Sequence, residues 1–201
     1  MATNKIIYKS EYNKGYHKDF YLFHMTHKSS FIYIMPLLML LLLMLMINNN
    51  NNKETDNIYT YIAFAVSIFI FIPIYLFFAV NSNVRRDSKN RSDCTETIEI
   101  SKEKILRSES KNNEQKGKEV ISWQQLLVVH EQIHYFYFYK SNEQGFLVAK
   151  ELLTKEEINT IRDFCTKYLK KDQKGKIPFK QTRKIKRMLK NENNKWLQSI
   201  Y

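Results

Sequence analysis

The sequence predicts a membrane α+β protein: a two-helix transmembrane hairpin, then a small antiparallel β module closed by a C-terminal helix. Three observations predict it. Two charge-free apolar runs, Phe31–Ile47 and Ile58–Val80, flank a short Asn-rich stretch. From Asp93 the pattern switches to short alternating runs rich in β-branched and aromatic residues. Thr154 and Glu157 then form a T-x-x-E capping pair ahead of apolar residues at helical spacing.

Residues 1–30 read as a cytoplasmic strand and helix leading into the bilayer. Ile6-Ile7-Tyr8 has strand character, and Tyr12, Tyr16, Phe20, Phe23 and His27 recur every three or four residues, as on one helix face. His17, His24 and His27 lie on the same stretch, but no carboxylate or cysteine completes a metal set. Interfacial side chains are the preferred reading. At about 1.5 Å per residue, spans 31–47 and 58–80 cover roughly 25 and 34 Å, against about 30 Å of hydrocarbon. The first run is too long for the apolar region of a signal peptide. Lys5, Lys9, Lys14, Lys18 and Lys28 precede the pair and Arg85, Arg86, Lys89 and Arg91 follow it, while the loop 48–57 carries only Lys53, Glu54 and Asp56. That asymmetry predicts a multi-pass plasma-membrane protein with an extracytoplasmic loop and both termini cytoplasmic. Neither run holds an ionisable residue that would line a transport path.

The second domain is expected over 93–170. Thr95–Ile100 and Lys104–Ser108 read as a hairpin, and Lys111–Lys118 as a polar loop. Val120–Trp123, Leu126–Glu131, His134–Tyr139 and Gly145–Ala149 follow as further β-rich elements. Ile158, Ile161, Cys165 and Tyr168 mark the buried stripe of the final helix. Trp123 is a lone tryptophan between strand and turn, a position that favours a core anchor over a ligand-stacking platform. The two cysteines, Cys94 and Cys165, have neither zinc-site nor disulfide-framework spacing.

This order of features resembles the YcxB-like family of small two-span bacterial membrane proteins. Asp19-Phe20-Tyr21-Leu22-Phe23-His24 and His27-Lys28-Ser29 carry the resemblance before the first apolar run. After the second run, Val120-Ile121-Ser122-Trp123, Val128-Val129-His130-Glu131, the aromatic strand and Glu156-Glu157-Ile158 carry it. The resemblance covers most of 5–170. It implies a pleckstrin-homology-like cytoplasmic domain and brings no established activity. Val148-Ala149-Lys150 stands where the family has an Ile-Pro-Lys turn.

One motif carries chemistry. His130-Glu131-Gln132-Ile133-His134 matches H-E-x-x-H, in which a helix brings two imidazoles to one zinc and the Glu polarises its water. The flanking Val128, Val129 and Tyr135–Tyr139 favour strand, and the YcxB-like resemblance implies a hairpin turn at Gln132-Ile133. On a continuous strand the two histidines would stand roughly 13 Å apart, too far to share a metal. A zinc metallopeptidase is therefore the minor alternative, and no cofactor, metal or catalytic residue is expected.

The net charge of +12 is concentrated in the tail 171–201 and the segment just before it. Lys167–Lys195 holds twelve Lys or Arg against Asp172 and Glu192, whereas 81–166 is balanced. Ile185, Met188 and Leu189 interleave with the basic residues, the pattern of a basic amphipathic helix on an anionic surface. Arg85, Arg86, Arg183, Lys184, Lys186, Arg187 and Lys190 are the candidate contacts to anionic lipid. Nucleic acid is the less favoured polyanion, since no recognition motif accompanies the charge. The expected function is non-catalytic binding or scaffolding at a bilayer surface. Capture of a protein partner by a sheet edge is a third reading.

Overall fold

A computed structural model describes residues 5–27, 31–49, 57–112, 114–182 and Ile185. They form two compact units, one from residues 1–16 and 91–201 and the other from 17–90.

The smaller unit is helical. Helix α1 (Lys14–His27) begins where the Asn13 side chain accepts the Gly15 N–H at 2.8 Å, satisfying a donor that the first turn leaves open. Helices α2 (Phe31–Asn49) and α3 (Asn57–Arg91) carry Pro36 and Pro73 inside them. Tyr21 of α1 donates its hydroxyl to Asp87 of α3 at 2.6 Å, and His17 Nδ1 lies 3.5 Å from the same carboxylate. His27 stacks on Phe23 and His24 on Phe20, so the three histidines are spread over separate partners.

The expected transmembrane hairpin needs correction. Among the described residues, no helix is long and apolar enough to cross a membrane. A span needs about 20 apolar residues in succession, and none of the described helices meets that requirement over its described residues. The membrane α+β class therefore gives way to an α+β fold, and the multi-pass plasma-membrane placement goes with it. Most of the expected loop, 50–56, lies outside the described residues.

The larger unit holds two four-stranded sheets, ordered β1-β2-β3-β4 and β7-β6-β5-β8. The first contains β1 (Lys5–Glu11), β2 (Cys94–Ser101), β3 (Lys104–Lys111) and β4 (Glu114–Ser122), all antiparallel. Its register aligns Ile6, Ile100, Ile105 and Ile121 in one row across the four strands, each at most 1% exposed. Burying an isoleucine fully is worth about 1.5–3 kcal/mol, so this row is the main reason the N-terminal strand joins a sheet so distant in sequence. Of the polar stretch 111–118 expected as a loop, Lys111 ends β3 and 114–118 form the first half of β4. Asn112 takes the turn at φ 51°, a left-handed conformation that asparagine tolerates, and an exposed edge strand has no need of apolar side chains.

Beyond the isoleucine row the inner face of the sheet becomes charged. Arg107 pairs with Glu96 and Glu109, Arg91 with Glu109, and Lys140 with Glu119. The Arg107 guanidinium also lies 5.7 Å from the centre of the Phe146 ring.

The second sheet contains β5 (Val128–Glu131), β6 (Tyr135–Tyr139), β7 (Gly145–Ala149) and β8 (Phe179–Gln181). It is mixed, because β8 runs parallel to β5. That corrects the purely antiparallel module expected from sequence. Val129, Phe136, Phe138, Phe146 and Val148 face a core shared with the isoleucine row and with Ile161, Phe164 and Cys165 of helix α4 (Lys155–Tyr168). The helix starts as the spacing predicts: the Thr154 hydroxyl accepts from Glu157 N at 3.2 Å, and Glu157 Oε2 accepts from Thr154 N at 2.8 Å. Thr154→Ala should lower the stability of this unit by about 1 kcal/mol, read as a shifted urea midpoint with an unchanged slope.

Gly145 is required for space. A Cβ there would stand 2.8 Å from the Phe138 carbonyl oxygen and 2.9 Å from the Tyr139 ring that crosses it. Gly145→Ala should therefore destabilise the β6–β7 hairpin by about 1–3 kcal/mol, visible as faster hydrogen exchange at Phe138 and Phe146.

Candidate functional site

The only motif with catalytic precedent lies on the β5–β6 hairpin. Strand pairing places Val129 and Glu131 toward the core and Val128 and His130 on the opposite face, since successive residues of a strand alternate. The turn is one residue later than expected: Gln132 N donates to the Tyr135 carbonyl at 2.8 Å, leaving Ile133 and His134 at the tip. His130 is buried and pairs in register with Tyr137, whereas His134 is exposed. The H-E-x-x-H residues are thus divided between a strand, a turn and two faces of a sheet. Zinc chemistry needs them on one helical face.

Glu131 is fully buried and already engaged. Its Oε1 accepts from Lys150 Nζ at 2.6 Å and from Arg162 Nε and Nη2 at 2.9 and 2.7 Å, while Oε2 accepts from Gln181 Nε2 at 2.7 Å. Burial pushes the carboxyl upward, but the Arg162, Lys150 and Gln181 donors outweigh it and hold Glu131 below its ordinary value, ionised. Lys150 shifts downward: burial weakens its ammonium more than a carboxylate shared with Arg162 restores. The lysine remains held by geometry, donating also to the Gln132 carbonyl at 2.7 Å and lying 4.6 Å from the Phe136 ring centre. An ion pair alone would raise a lysine, so the two partners point in opposite senses. The four donors converging on one carboxylate decide in favour of a charged Glu131.

Cys165 lies in the same interior. Burial first, and the Glu131 charge second, push its thiol far up, so it is an unreactive thiol packed in the core. On another part of this unit, Tyr16 donates to the Glu151 carboxylate, and that bond raises the phenol to about 12.

Sequence reasoning identified Glu131 but missed Lys150, Arg162 and Gln181 as its partners. The available signal was a single carboxylate inside Val128–Tyr139, a run dominated by β-branched and aromatic residues, which calls for buried counter-charges. Among the basic residues picked out as lipid contacts, Arg85 and Arg86 lie exposed on the polar end of α3. Arg183, Lys184, Lys186, Arg187 and Lys190 lie outside the described residues. No family model, curated protein or solved structure matches this chain.

Proposed function

We infer that the β-rich unit is a non-catalytic binding or scaffolding module, and that the chain's basic residues meet an anionic partner such as lipid headgroups. One observation carries the non-catalytic part: the Glu131 carboxylate, which would be the general base of the zinc motif, is engaged by four internal donors. A carboxylate paired with two cations and fully buried organises separate segments of the unit and presents no face to solvent. The order of the hairpin, Trp123, the aromatic strand and the capped helix also supports a YcxB-like relationship, which brings no reaction with it. The charge of +12 and the exposed Arg85 and Arg86 support the anionic partner.

Two measurements test this. His130→Ala and His134→Ala should leave the metal content of the purified chain equal to that of the parent. Stoichiometric zinc lost in either variant would establish the metallopeptidase instead. Co-sedimentation should require anionic vesicles and fade with added salt. Arg85→Gln/Arg86→Gln should weaken that binding roughly 30-fold, at about 1 kcal/mol per basic residue near the surface. Equal binding to neutral vesicles would rule out the anionic partner.

A further inference from the structure

The outer face of the first sheet is open, and its side chains fall into ordered rows. Ile6, Ile100, Ile105 and Ile121 point into the core, so their neighbours Ile7, Glu99, Leu106 and Val120 form the matching row on the opposite side. Ile7 and Val120 are 58% and 54% exposed there, and Leu106 between them is half-buried. Exposed Lys5 and Lys104 border this row on one side. Exposed Lys9 and Lys118 border it on the other, at the two ends of a row that runs through Thr97 and Ser108. Three such rows, two residues apart on four strands, cover about 14 Å by 14 Å.

The two faces of this sheet handle charge differently. On the inner side Arg91, Arg107 and Lys140 close on Glu96, Glu109 and Glu119, three against three. On the outer side four lysines stand against two carboxylates, Glu99 within the rows and Glu11 beside them. Among the described residues the ion pair on that side is Lys5 with Glu99, at 2.9 Å, which also neutralises the carboxylate in the apolar row.

A surplus of exposed cations around exposed apolar side chains, on a surface built from flat strands, fits a bilayer interface. Binding there grows with the apolar area buried at the boundary between headgroups and acyl chains, and with attraction to anionic lipid. A small soluble anion would gain nothing from Ile7, Leu106 or Val120. Single-stranded nucleic acid stacks its bases on aromatic side chains, and these rows contain none. We propose that the outer face of the first sheet lies on anionic lipid headgroups, with the apolar row at the acyl boundary and the flanking lysines on the phosphates. The assignment rests on the anionic-lipid reading above and adds its contact surface on the β-rich unit.

Val120→Cys carrying an environment-sensitive nitrobenzoxadiazole label tests the placement in the full chain, since the native thiols Cys94 and Cys165 are buried. Vesicles of phosphatidylserine and phosphatidylcholine at low salt should shift the label's emission to the blue. Lys9→Gln/Lys118→Gln in the labelled chain should raise the lipid concentration that gives half the shift roughly 30-fold. Both lysines are exposed, so the urea midpoint should match that of the parent. A label that stays in water while the chain co-sediments with the same vesicles overturns this inference and leaves the lipid reading in place. An unchanged titration of the double variant does the same. A chain that ignores anionic vesicles overturns both, and a shift produced by an oligonucleotide but not by vesicles assigns the face to nucleic acid instead.

Discussion

Glu131→Gln should cost the β-rich unit about 3–5 kcal/mol, the loss typical of removing one partner from a buried ion pair. Lys150 and Arg162 converge on Glu131 with side chains only 10% and 20% exposed, so neutralising the carboxylate strands two cations that water reaches poorly. The loss would be smaller if the pairing mattered only through its attraction. The larger cost is the desolvated charge left behind. Arg162→Leu alone should therefore cost less than Glu131→Gln, since Lys150 stays paired. Glu131→Leu/Lys150→Met/Arg162→Leu should recover much of the loss, because replacing a whole buried ion cluster by apolar groups is often neutral. Hydrogen-exchange free energies at Ile105 and Phe136 report this unit separately from the helical one. A triple variant as unstable as Glu131→Gln would show that shape, not charge, sets the cost.

The pH dependence follows from the same contacts, and its sign is definite. Glu131 is held below its ordinary carboxylate value near 4.5, so the folded chain binds fewer protons than the unfolded one in that range. Its contribution is complete above the unfolded value and is lost as pH falls through the lower, folded value. Acid unfolding of the parent should therefore steepen below about pH 4.5. In Glu131→Gln that component should vanish from a urea-midpoint series taken across pH.

The elements that were legible in the sequence are those whose signal is local. The Thr154/Glu157 cap, the positions Ile158, Ile161 and Cys165 on α4 and the alternation of Ile98 and Ile100 each lie within one element. They were read correctly because capping and periodicity need no partner; Tyr168, the fourth residue of the expected stripe, is exposed instead. What was not legible depends on pairing across the chain. Strand β8 is three residues long and takes its identity from β5, some fifty residues earlier. The stretch 111–118 looked like loop because an edge strand exposed on both faces can be polar throughout. At the site, Glu131 stood out as a charge among aromatics. Nothing in the spacing of Lys150, Arg162 and Gln181 announces that they meet on one carboxylate, since a helix, a short turn and a late strand deliver them separately. The apolar runs were the most conspicuous signal in the chain, and the membrane hairpin drawn from them is the expectation that the described helices do not support.

Trp123→Ala should cost about 3–5 kcal/mol and so decide between the two roles that a lone tryptophan can play here. The indole is 2% exposed, at the turn after β4, and Nε1 donates to the Ser101 carbonyl at 2.9 Å. Its ring lies 6.0 Å from Phe164 and 6.4 Å from Tyr168, both on α4. One side chain thus joins the end of β2 to the closing helix. Removing it leaves a cavity beneath α4 that neighbours anchored in two sheets are poorly placed to fill. Trp123→Phe keeps most of the aromatic contact and gives up the bond to Ser101, so it should cost less than about 1.5 kcal/mol. A platform for stacking a ligand would behave in the opposite way: its truncation would leave exchange at Ile105 and Ile161 unchanged while abolishing binding. The expected outcome is accelerated exchange on both sides of the contact, in β3 and in α4, with Trp123→Phe intermediate. If Trp123→Ala were as stable as the parent, the indole would have no anchoring role, and a bound partner stacked on it would become the better account.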